Sequence, residues 1–595
     1  MSSTADSPDS TSRRLRHSRG LGIAAILVVG IGYSLVMQTP GWAQTSYYAM
    51  VRALGNGTAQ IDAYHWETKD KSWINGHFYS VKAPGLPLFV LPAYEGLKAV
   101  GFETFSADVG QRVREQNVYQ WYPKEATTQN YGYSKTRARA MQRQISNEAT
   151  MIWALGLLGT VLPAILLMLI VRRLAEGYEP GTGAASALAL GLGTMVLPFA
   201  TQFLGHMLAA LALFGAFALM HRERRGSPRI ALVAVAGLCA GLAVLVEYPL
   251  AFGGAIVGLY AVLRSDTIAS GFGAIAKRAA AFAGGVIVGV IPVAIYNQWA
   301  FGSPGKMSYT GAVAIQGFSG HDQIGLNDSG FFGIGIPKPS NFVELLFAPR
   351  GLIAATPIVV AGLVGTLLMY RRGHKAEART ILGVAAIYLI YAAGYWLPFG
   401  GGTPGPRFLI PMLPFLALGL PFAWKRIPST TLALALVGTT VMTIATITFP
   451  LVGQTGLHRW WNRLYHGEFL QTVLTAAGAG NGWLSTGPVV ACFLLGILLA
   501  ALATSAVRFR SDIAIAAVSL AAWLVLALKL APLLHEHKGD ELMPVEGIPW
   551  RIVVMAAMVA VGGTALAVIL TWREKSSGGG DSVDQERTAL LTGNS

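Results

Sequence analysis

Between Asp62 and Lys82 the chain reads DAYHWETKDKSWINGHFYSVK, which gathers Asp62, Glu67, Asp70, His77, Tyr79 and Lys82 into one short polar stretch. A carboxylate can take the proton of an attacking hydroxyl, and an ammonium or guanidinium can stabilise a departing phosphate. Residues of these types at this spacing suit general-base chemistry beside an anion. Asp62 and Asp70 are the two carboxylates that the clustering singles out, with His77 close by in sequence. Lys82, Arg407 and Arg350 are the candidates for phosphate binding. Arg407 stands out because an arginine in an outer Gly/Pro-rich loop runs against the charge bias of membrane topology. Tyr79, Tyr48, His206 and Glu247 are the remaining polar groups expected at a substrate.

The elements that must position these groups are helices in a membrane. Of 595 residues, 53% are hydrophobic and 13% charged, and apolar runs of about 20 residues, long enough to cross a bilayer, recur along the chain. The expected fold class is an all-α polytopic membrane protein with fourteen spans, from 21–38 to 550–571, and both termini on one side. The net charge of +15 comes largely from Arg and Lys at span ends, so it reports topology rather than nucleic-acid binding. Residues 1–20 and 572–595 read as disordered cytoplasmic tails. The long loop 39–148 and the stretches 298–350, 398–407, 450–486 and 534–549 fall on the opposite face, and chemistry is expected there.

Within the first loop, Tyr47, Tyr48, Val51 and Leu54 fall on one face of a short interfacial helix ended by Gly55 and Gly57, and residues 86–99 predict a second one. Residues 101–148, rich in Tyr, Gln and Arg, read either as an acceptor-side lid or as an ordinary solvated insertion. The spans are nearly free of charge and no broken-helix pair is legible, which argues against a carrier. Cys239 and Cys492 lie within apolar runs. His535, Glu536, His537, Asp540 and Glu541 cluster in an outer loop but lack the i, i+4 His pair of a zinc protease. No protein metal site and no required cofactor are assigned, and a divalent cation is left open.

A first span, an aromatic juxtamembrane helix, an acidic loop and then GHFYSVKAPGL at 76–86 together resemble the C-type (GT-C) superfamily of membrane glycosyltransferases. These use polyprenyl-phosphate sugars and include protein O-mannosyltransferases, lipid A aminoarabinose transferases and mycobacterial arabinosyltransferases. FLGH at 203–206, FGSP at 301–304 with Tyr309, LLFAPRGL at 345–352 and GPRFLIPMLP at 405–414 extend the likeness over roughly residues 20–420. The resemblance implies a catalytic module at 21–424, followed by helices at 425–571. It implies transfer of a sugar from a polyprenyl-phosphate donor, at the outer face of a bacterial plasma membrane, to a cell-wall glycan, lipid or protein acceptor. It also implies a catalytic carboxylate in the first outer loop. Where such enzymes commonly carry an acidic residue directly after the first span, this chain has Gln44, and an amide is no base at neutral pH. The role passes to Asp70 or Asp62, Asp70 being favoured because it sits just before GHFYS, and His77 is then placed to orient the base or touch donor phosphate. One base implies inversion, since retention needs a second, nucleophilic carboxylate. The alternative reading is a lipid or polysaccharide flippase.

Overall fold

The computed structural model describes residues 8–38, 40–115, 135–312, 333–504, 507, 509 and 511–578. It is an all-helical multi-pass membrane protein with two small β-hairpins. Residues 1–7 and 579–595 of the expected tails, and 116–134 of the expected lid, lie outside the described residues. Helix α1 (Pro8–Leu35) begins within the N-terminal stretch read as a tail.

Among the described residues eight helices are long and apolar enough to cross a membrane, or ten if each of two bent pairs counts as one span. The count of fourteen is therefore not reached. The expected spans at 182–200, 229–246 and 249–264 fall on the shorter helices Gly183–Gly193, Ile230–Val246 and Leu250–Val262. The bent pairs, Pro339–Ala355 with Ile358–Arg371 (92°) and Arg407–Leu416 with Leu420–Arg426 (59°), correct the expectation that no helix is broken. Apolar composition measures how greasy a segment is, while a bend depends on what the backbone packs against. At the second bend, Gly419 lies against the backbone of Gly362 and Thr366, an approach that a side chain would block.

The same device joins Ile230–Val246 to Phe272–Phe301. Gly237 and Gly241 on the first helix, and Gly285 and Gly289 on the second, each face backbone atoms of the partner helix. In a bilayer the hydrophobic effect does not drive helix association, so close packing through small residues does. Helix α1 packs on Trp483–Ala503 similarly, with Gly32 against Phe493 and Gly496 against Val29.

The first outer loop folds as expected into helices α2 (Trp42–Gly55) and α3 (Gly85–Ala99). Between them the sequence reading missed a hairpin, β1 (Lys71–Ile74) and β2 (His77–Ser80), paired antiparallel. Its signal was present: Asn75 (φ 52°) and Gly76 (φ 86°) form the two-residue Asn-Gly turn favoured by hairpin twist. Buried charges pin the loop. The Arg52 guanidinium pairs with Glu67 and Glu148 and stacks over the rings of Tyr48 (4.6 Å) and Tyr64 (3.9 Å). The fully buried Lys71 ammonium donates to the His65 carbonyl at 2.6 Å.

Candidate active site

The hairpin brings Asp70 and Lys82 together. Asp70 immediately precedes β1, and the register that sets Lys71 opposite Ser80 carries on to bring the Val81 N–H to the Asp70 carbonyl at 3.5 Å, which leaves Lys82, the next residue, beside Asp70. Helix α2 clamps the junction: the Ser46 hydroxyl donates to the Asp70 carbonyl at 2.5 Å and lies 2.7 Å from the Ser80 hydroxyl, which accepts the Lys82 N–H at 3.1 Å. Lys82 Nζ consequently stands 2.5 Å from Asp70 Oδ2, with both side chains largely buried.

Two further charges bear on this pair. Burial pulls the Lys82 ammonium below the ordinary lysine value, Asp70 and Glu247 oppose the shift, and Arg407 reinforces it. Glu247, at the end of Ile230–Val246, is held by His206, whose Nδ1 lies 2.6 Å from Oε1. Gly205 keeps this region uncrowded, since a Cβ there would sit 3.0 Å from Val246 Cγ1 and 3.2 Å from both Glu247 Oε1 and the Tyr47 hydroxyl. Arg407 opens the second bent pair and is cradled by the preceding loop. Gly400 (φ 76°) leaves room for its guanidinium stem. The Arg407 guanidinium lies over the Phe408 ring at 5.3 Å, and its buried Nε has no hydrogen-bond partner among the described residues. A guanidinium nitrogen left unbonded has hydrogen-bonding capacity to offer an anion.

Phenols line the remainder. Tyr47 on α2, Tyr309 and Tyr395 all feel both Asp70 and Arg407. Burial raises the Tyr47 and Tyr309 phenols well above their ordinary value and pushes Tyr395 up to about 12. All three are neutral hydrogen-bonding groups at neutral pH. Tyr309 carries part of the motif evidence, yet the sequence reading assigned roles to none of the three.

Of the sequence candidates, Asp70, Lys82, Arg407, Glu247 and His206 converge. Others go elsewhere. The Asp62 carboxylate pairs with His77 Nδ1 (2.7 Å) and accepts the Phe78 N–H (2.7 Å), both side chains being more than two-fifths exposed at the far end of the hairpin. Tyr79 packs edge-on against Phe301 at 5.0 Å, and Tyr48 against Tyr94 at 6.2 Å, both away from the Asp70–Lys82 pair. Arg350 is fully buried and all three of its nitrogens donate: Nε to Glu536 at 3.0 Å, one terminal nitrogen to Glu536, the other to the carbonyls of Gly401, Thr403 and Val452. It braces the loop before Arg407 and has little left to offer a phosphate. Around 535–541 the acidic and imidazole groups take separate partners, Glu536 with Arg350 and His537 with Glu344. Among the described residues no three such groups converge as metal ligands.

No protein-family model matches the chain, and no curated protein does. Among solved structures it is similar to ArnT from Cupriavidus metallidurans bound to undecaprenyl phosphate, at 14% identity and a TM-score of 0.40, over 92% of this chain and 76% of that one. It is also similar to the oligosaccharyltransferase of Archaeoglobus fulgidus in the apo form, at 13% identity and a TM-score of 0.33, over 91% of this chain and 64% of that one. At such scores the superpositions are loose, and the chemistry rests on this chain's own side chains.

Proposed function

We propose that the protein transfers a sugar from a polyprenyl-phosphate donor to an acceptor hydroxyl at the outer face of a bacterial plasma membrane, with inversion. The observation that carries this reading is the buried Arg407 Nε, which has no hydrogen-bond partner among the described residues, beside the Asp70–Lys82 pair. Two cations and neutral phenols suit a sugar phosphate, and one nearby carboxylate suits a base. Donor phosphate settles on Arg407 and draws Lys82 from Asp70, so that phosphate binding frees the base. The acceptor oxygen then attacks the anomeric carbon. As the new C–O bond forms, its proton passes to Asp70, the bond to the phosphate oxygen breaks, and the departing phosphate keeps the electron pair against Arg407 and Lys82. His206 positions Glu247, whose carboxylate helps keep Lys82 charged.

A lipid or polysaccharide flippase is the competing reading, and the two bent helix pairs are the feature it would use. The clustering of charge at an outer loop rather than within the spans favours the transferase. Binding of a radiolabelled polyprenyl phosphate to purified protein tests the anion site. Arg407→Gln weakens it about tenfold or more, the worth of a charged hydrogen bond; equal affinity in the two proteins contradicts the assignment.

A further inference from the structure

The charged run at 535–541 takes no part in the proposed chemistry, yet it is tied to the site from outside. Residues 536–543 form a second hairpin, β3 (Glu536–Lys538) and β4 (Glu541–Met543), paired antiparallel with Gly539 (φ 62°) in the turn. The hairpin joins two spans late in the chain, Ile513–Leu533 and Trp550–Thr571, whereas Asp70, Lys82, Glu247, Tyr395 and Arg407 all come earlier.

A hairpin of three residue pairs has little stability of its own, and this one brings little apolar contact, since Leu542 is 57% exposed. Charge and backbone bonding fix it in place. The fully buried Glu536 pairs with the fully buried Arg350. The His537 N–H donates to Glu344 Oε2 at 2.9 Å, and its Nδ1 lies 2.5 Å from Oε1. At the turn, the Gly539 N–H donates to the Trp396 carbonyl at 2.7 Å. Lys338 Nζ donates to the Gly539 carbonyl at 3.2 Å and to Asp540 at 2.7 Å.

Each of these partners borders the site. Arg350 links Glu536 to the carbonyls of Gly401 and Thr403, and Gly401 adjoins Gly400, against which the Arg407 stem lies. Trp396 follows Tyr395, the phenol that bears on both Asp70 and Arg407. Glu344 sits on the same bent helix pair as Arg350, and the Lys338 N–H donates to the Ala393 carbonyl just ahead of Tyr395. Apolar residues of the same size would hold such a contact at least as firmly. What a guanidinium adds is direction, because its rigid fork of donors fixes the Glu536 carboxylate and the two loop carbonyls relative to one another.

We propose that this hairpin is a strap through which the last helices set the position of Arg407, and that Glu536 is a positioning residue for donor phosphate. Glu536 acts through Arg350 and the carbonyls of Gly401 and Thr403, and touches no substrate. The proposal rests on Arg407 receiving the donor phosphate.

The test is equilibrium binding of radiolabelled polyprenyl phosphate to the full-length purified protein. Glu536→Gln removes the charge that orients Arg350. Gly539→Ala is gentler: it removes no charge and no hydrogen bond, but its Cβ would sit 2.7 Å from Trp396 Nε1, so the turn must shift. Each is also combined with Arg407→Gln, which completes a double-mutant cycle. The proposal expects each strap variant alone to weaken the probe about fivefold, part of the worth of one charged hydrogen bond, and to add no further loss in the Arg407→Gln background. Unchanged affinity in both strap variants, with Arg407→Gln weakened, overturns the strap and leaves the phosphate site standing. An equal loss with and without Arg407→Gln also overturns it, because the hairpin then supports the fold without acting through Arg407. No effect of Arg407→Gln on the probe removes the phosphate assignment, and the strap with it. Should Glu536→Gln fail to fold, Gly539→Ala carries the same readings alone.

Discussion

Lys82 Nζ stands 2.5 Å from Asp70 Oδ2, so the cation and the base of the proposed reaction neutralise each other until a phosphate arrives. This self-occlusion protects a buried carboxylate and a buried ammonium from being left unpaired. It also makes the acceptor-activating step depend on a bound donor.

Because burial holds the Lys82 ammonium below the ordinary lysine value, it loses its proton earlier as pH rises. The protonated form binds phosphate, so kcat/KM for the donor falls on the alkaline side through a pKa below that of a free lysine, since this parameter reports the free enzyme. Lys82→Arg stays charged throughout and removes that limb. The two pH profiles check this.

Tyr47 faces the charged cluster and Tyr48 faces Tyr94. Tyr47→Phe therefore lowers kcat about tenfold, the worth of one hydrogen bond at the site, whereas Tyr48→Phe leaves it essentially unchanged. Steady-state kinetics on the two variants separates adjacent residues of the same type.

Arg350 predicts a stability effect. Arg350→Met strands the buried Glu536 carboxylate and destabilises the fold by about 3–5 kcal/mol, while adding Glu536→Leu restores much of the loss. Thermal unfolding in detergent reads this directly.

How far the sequence could be read follows from these same residues. Helices α2 and α3 were legible because apolar and aromatic residues fall on one face. Asp70, Lys82, Arg407, Glu247 and His206 were legible as candidates because charge and imidazole are conspicuous among apolar outer motifs. Their meeting was not, since it depends on hairpin register and on a bend at the far end of the chain. Tyr47 and Tyr48 share the apolar face of α2, and only tertiary packing decides which one meets the carboxylate. Arg350 and Arg407 have the same outward signature, an arginine in an outer Gly/Pro-rich stretch. What separates them is Glu536, 186 residues beyond Arg350, which no local pattern reveals.

The most direct measurement is transfer of radiolabelled sugar from polyprenyl-phosphate donors to membrane acceptors by purified wild type, Asp70→Asn and Asp62→Asn. Asp70→Asn preserves shape and hydrogen bonding while removing basicity, so it abolishes transfer in folded protein; Asp62→Asn, at the exposed end of the hairpin, retains it. Full transfer by Asp70→Asn, or no transfer by wild type across a broad donor panel, contradicts the account.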